Sequence, residues 1–147
     1  MKANELRLGN KLFFCNRSHT IMGIGANLLF IENDFKHTIG PYELEDFEPI
    51  PIDENWLKKY GFNKIEDTHR KIIGKEDLCV YEMWLVDPCN DAGYSVQYYE
   101  VFDQLQNTED YRFVSIEKEV KYIHELQNLY FVLTGRELEL VNPEKKY

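Results

Sequence analysis

Ser115-Ile116-Glu117-Lys118-Glu119-Val120-Lys121-Tyr122-Ile123-His124-Glu125-Leu126-Gln127-Asn128-Leu129-Tyr130-Phe131-Val132-Leu133-Thr134-Gly135 is the stretch whose reading decides the fold. Ile116, Val120, Ile123, Leu126 or Gln127, Tyr130 and Leu133 recur at helical spacing and a glycine stops the run, so the pattern predicts one long helix from Ser115 to Thr134. Leu129, Phe131 and Val132 widen its apolar surface toward the C-terminal end, where the helix is expected to pack on more than one side.

Such a stripe needs a sheet to lie on, and the preceding residues supply one. His69 to Ile73 reads as a strand, Gly74-Lys75-Glu76-Asp77 as a polar turn, and Leu78 to Val86 as the longest strand. In that strand Leu78, Val80, Glu82, Trp84 and Val86 face one way, and Cys79, Tyr81, Met83 and Leu85 the other. Asp87 to Gly93 has the composition of a loop, Tyr94 to Phe102 that of a partner strand, and Arg112 to Val114 that of a short last strand. The expectation is a three- or four-stranded antiparallel sheet packed by the long C-terminal helix, with Leu138 and Leu140 adding a weak edge strand.

Upstream, Gly9-Asn10 reads as a turn and Lys11 to Cys15, Thr20 to Ile24 and Leu28 to Ile31 as short strands, with Gly25-Ala26-Asn27 reversing the chain. Pro49 and Pro51 enforce an extended path at the end of this region. Residues 8–52 therefore predict a small curled antiparallel sheet of the SH3-like kind. Asp53 can cap a short helix Glu54 to Tyr60, and Gly61 can end it. The fold class is α+β. The expected organisation is an N-terminal β subdomain over 1–52, a connecting helix over 53–61 and an α+β subdomain over 62–147, forming one compact unit.

The 147 residues carry a net charge of −9, with 44% hydrophobic and 14% aromatic residues, which argues for a folded core. Residues 61–147 hold 10 basic and 17 acidic side chains, so most of the negative excess lies in the second half. Such a field repels a phosphate backbone, and no basic run exceeds two residues. Nucleic-acid binding would have to rest on Arg7, Lys11, Arg17 and Lys36 of the N-terminal sheet. Cys15, Cys79 and Cys89 form an odd set without a secretory-type apolar start, which predicts reduced thiols and a cytoplasmic location. No apolar run is long enough to cross a bilayer.

His69, Cys79, Cys89 and His124 are residue types that ligate metals, but no CxxC, HxxxH or HExxH spacing joins them, so neither a metal nor a cofactor is expected. His124 lies beside the apolar stripe, where a partly buried hydrogen-bonding role suffices. Asp87, Cys89, Asn90 and Asp91 gather two carboxylates, a thiol and an amide in one loop. With His69 or His124 they form the candidate cluster for ligand binding or acid-base chemistry. Tyr81, Tyr94, Tyr98 and Tyr99 are the candidate interaction residues, since tyrosine combines contact area with a hydrogen-bonding tip.

Two segments carry a resemblance: Lys2-Ala3-Asn4-Glu5-Leu6-Arg7-Leu8-Gly9-Asn10, and His124 to Gly135 followed by Glu137-Leu138. With Glu48-Pro49-Ile50-Pro51-Ile52 and Trp56 to Phe62 between them, the chain resembles small uncharacterised proteins of Bacteroides-type bacteria and their phages or mobile elements. The resemblance implies an accessory role and transfers no catalytic residue. A complete folding pattern without a reaction motif points to a non-enzymatic protein that binds a host or phage protein, or itself, through its Tyr-rich acidic half. The alternatives are small-ligand binding or an enzymatic activity at the 87–91 loop, and nucleic-acid binding by the N-terminal sheet.

Overall fold

The computed structural model describes residues 1–76, 79–87, 93–102 and 110–141. They form an α+β protein with two five-stranded antiparallel sheets. The chain divides into two compact units, Met1–Ile52 with Tyr122–Leu138, and Asp53–Lys121 with the segment that starts at Glu139.

In the first unit the strands are β1 (Lys11–Phe14), β2 (Arg17–Ile24), β3 (Leu28–Glu32), β4 (Thr38–Glu43) and β5 (Glu48–Pro49), in the order β4-β3-β2-β1-β5. A two-residue turn at Cys15 and Asn16, both at positive φ, joins β1 to β2, the geometry whose twist matches paired strands. Leu12, Ile21, Leu29 and Ile31 alternate inward and meet Leu6 and Phe47 in one buried cluster, with Phe14 stacked on Phe47.

Helix α2 (Ile123–Thr134) belongs to this unit. Its Gln127 accepts the Lys11 N–H at 2.9 Å and donates to the Gly9 carbonyl at 3.1 Å. The Ile123 N–H donates to the Ile50 carbonyl, and Gly135 at φ +66° closes the last turn through the Phe131 carbonyl, a conformation that favours glycine. The long helix thus docks beside β1, in the N-terminal unit, where the sequence places it on the second sheet.

In the second unit α1 (Glu54–Lys59) is capped as its sequence predicts, Asp53 Oδ1 accepting the Trp56 N–H at 2.8 Å. The strands β6 (Asn63–Ile65), β7 (Thr68–Glu76), β8 (Cys79–Val86), β9 (Tyr94–Phe102) and β10 (Asp110–Val120) follow in the order β10-β9-β8-β7-β6. Cys79, Met83 and Leu85 are buried along β8, while Trp84 on the other face is half-buried between the Arg70 guanidinium and Tyr99.

Four further expectations are corrected. The second sheet has five strands rather than three or four. Ser115 to Val120 is strand and not helix, because Glu119 and Val120 pair with Ser95 and Tyr94. Ile116 and Val120 sit four apart, and positions four apart share a face in a strand as well as in a helix, so spacing alone could not separate the two. Gly74 to Glu76 continues β7: a register shift follows Ile72, and Gly74 lies opposite Tyr81, with only 3.3 Å between the Tyr81 ring and the position a Cβ would take. Asp77 and Leu78 lie outside the described residues. Finally, Leu138 is buried and Leu140 exposed, but neither is in a strand.

Candidate functional site

Four strands of the second unit place polar groups in one cross-strand row. Lys64 of β6 faces His69 of β7, and His69 faces Leu85 of β8. Asp87 is two residues beyond Leu85 and so shares its face, diagonal to His69. Its N–H donates to the Asp67 carbonyl at 2.8 Å, which prolongs the β7–β8 pairing past the strand end. Tyr94 opens β9 one position beyond the Val86–Ser95 pair and meets the His69 ring edge-on at 5.9 Å.

His69 is 2% exposed, and its Nδ1 lies 2.9 Å from Asp87 Oδ1. The approach is off the axis of the ring N–H, so this is a contact at ion-pair distance without an aligned hydrogen bond, and Nε2 has no protein partner among the described residues. Lys64 Nζ bonds to Glu54 of α1 and stands 3.8 Å from Asp87 Oδ2. The hydrogen bond from Lys64 holds the Glu54 carboxyl below its usual range, and the same bond holds the Lys64 ammonium above its own. Burial, with the charges of Asp87 and Glu54, pushes the Tyr94 hydroxyl up. A cleft of about 390 Å³ opens over the row, lined by Phe62 and His69 and rimmed by Glu54, Asn55, Lys58, Asn63 and Lys64.

Of the sequence candidates, the structure therefore brings His69 and Asp87 together. Cys89, Asn90 and Asp91 lie outside the described residues. His124 belongs to the first unit, at the second position of α2, buried and stacked on Tyr122 at 5.9 Å. Tyr81 stacks on Tyr98 on one face of the second sheet, whereas Tyr99 packs against Trp84 on the other. The four tyrosines thus do not form one surface. Among the basic residues of the first sheet, Arg7 pairs with Glu137, Arg17 with Asp34 and Lys36 with Glu32, while Lys11 bonds to Thr20. Cys15 and Cys79 are free thiols. Among the described residues no group of three His, Cys, Asp or Glu is placed to hold a metal ion, and no helix is long and apolar enough to cross a membrane.

Sequence reasoning missed Lys64 and Glu54. Lys64 sits in a strand of three residues that carries no alternation signal, and Glu54 reaches the site from a different element. The available clue was the β7–β8 hairpin, whose register fixes Asp87 diagonal to His69 once Leu85 is paired with it.

The first unit holds larger clefts of about 520 and 420 Å³, lined by Glu43, Glu45 and Phe47 and by Cys15, Asp46 and Glu48 respectively. Among the described residues none of the buried polar atoms that lack a partner belongs to their walls, so they carry less chemistry than the His69 cleft.

His124 supplies a pH prediction instead. Its burial outweighs the charges of Glu125 and Glu5 and lowers its pKa from the usual ~6.5, so the folded chain holds it neutral. The unfolded chain takes up the proton first as pH falls. Stability is fully present above ~6.5 and declines below it. Urea midpoints measured from neutral pH down to mild acid are expected to fall for the native chain and to fall less for His124→Gln. Parallel curves would remove His124 as the cause.

No family model, no curated protein and no solved structure matches this chain.

Proposed function

We propose that the second unit is a small-ligand binding module whose recognition group is His69. The observation that carries this is a buried imidazole, set against a carboxylate and with unsatisfied ring nitrogens, in a residue that lines a cleft of ligand size. A buried polar atom without a partner is costly, and a bound molecule that meets it recovers that cost. Lys64 and Glu54 neutralise each other at the rim, so the cleft presents hydrogen-bonding groups without a large net field. The first unit, which we read as a curled SH3-like sheet from its strand order and the 3-10 turn Leu44–Asp46 ahead of β5, then serves the accessory role that the resemblance implies.

The test is a side-chain and amide NMR titration of the full chain with anionic, cationic and uncharged small polar molecules. At least one is expected to shift the His69 ring and Lys64 together, and His69→Ala, with an otherwise native amide spectrum, is expected to abolish that response. A set that leaves His69 unmoved would refute the reading.

A second reading keeps the chain as a protein-binding accessory. It draws on Ile65 and Ile72, which are 44% and 63% exposed beside a groove of about 270 Å³ lined by Asn63, Arg70, Glu82 and Val101. In that case a partner recovered with the chain is retained by His69→Ala and lost by Ile72→Asp.

A further inference from the structure

The geometry points to a ligand class for this cleft: a short carboxylate that also carries a hydroxyl or amino donor. This rests on the binding reading above and narrows it.

The donor requirement comes from Asp87. A carboxylate oxygen 2.9 Å from Nδ1 disfavours a ring lone pair on that atom, so of the two tautomers the one that carries its proton on Nδ1 is preferred. Nε2 is then an acceptor. It is buried and unpartnered among the described residues, so only a group with an O–H or N–H can satisfy it. A ligand offering acceptors alone would leave two lone pairs facing each other.

The carboxylate requirement comes from the rim. Lys64 is committed to Glu54 and Asp87, whereas Lys58, in the last turn of α1, has no acidic partner among the described residues. Asn55 and Asn63 line the same rim and add amide donors. An anionic head at this rim meets one uncommitted ammonium, while its donor end meets the imidazole. Phe62 supplies the apolar wall for a short carbon skeleton, and the volume suits a small molecule rather than a peptide.

The experiment has two arms. Long-range nitrogen–proton spectra of the unliganded chain are expected to show the Nδ1-protonated tautomer of His69, and the Nε2-protonated form would overturn the argument. The second arm titrates glycolate, glycine and acetate. Glycolate or glycine is expected to shift the His69 ring and bind at least roughly tenfold tighter than acetate, a difference of about 1.4 kcal/mol. Lys58→Met, an exposed change that spares the core, is expected to weaken the tighter ligand by a similar factor. Equal binding of acetate, or indifference to Lys58→Met, overturns the assignment. If none of the carboxylates binds while an uncharged polar molecule still shifts His69, the cleft remains a binding site and this ligand class falls. If nothing shifts His69, both fall.

Discussion

Leu126→Ala is expected to lower the stability of the first unit by about 2–5 kcal/mol, a large share of what holds a domain of this size folded. Leu126 is fully buried on α2, on the face that carries Ile123, Leu129 and Tyr130. Removing three carbons there loses their transfer free energy and leaves a cavity that the surrounding side chains fill only in part. Leu133 provides the control. The apolar stripe makes it look like a core position, but it is half-buried, so Leu133→Ala is expected to cost distinctly less. Denaturant titration followed by the helical circular dichroism signal measures both. Equal midpoint shifts for the two variants would show that the helix does not bury the face described.

Gln127→Ala is expected to cost about 2–4 kcal/mol, although it deletes no apolar group. Gln127 is 3% exposed, and its amide satisfies both the Lys11 N–H and the Gly9 carbonyl at the start of β1. Truncation leaves both groups without that partner, and an unmade bond inside a protein costs more than a made one contributes. Beside it, Asn128 accepts from Asn10 Nδ2 at 3.0 Å and donates to the Glu5 carbonyl at 2.8 Å, and Asn10 Oδ1 accepts the Arg7 N–H. Arg7 in turn pairs with Glu137 and covers the Phe131 ring. Hydrogen exchange gives the specific readout. The Lys11 amide is expected to exchange faster in Gln127→Ala by more than the global loss of stability explains, and an unchanged Lys11 amide would sink the assignment.

Lys2 to Asn10 and His124 to Leu138 lie far apart in sequence and meet through these amides, which fasten α2 to the start of β1.

Local order was legible in the sequence wherever one signal had one structural meaning. The Asp53 cap, the glycine stop at Gly135, the hairpin strands of the first unit and the alternation of β8 and β9 were all readable, because caps, turns and period-two patterns act over a few residues. The sequence by itself thus determined an α+β chain with two runs of antiparallel strands around a short helix and a long one. Only the tertiary structure decided that Ser115 to Val120 pairs with β9, since a spacing of four fits both periods. It also decided that α2 closes on β1, because buried amides at Asn10, Gln127 and Asn128 read as ordinary polar residues until their partners are known. His69 and Asp87 are eighteen positions apart in the sequence. A hairpin register places them 2.9 Å apart. Register is set by the pairing of whole strands, and no local pattern encodes it.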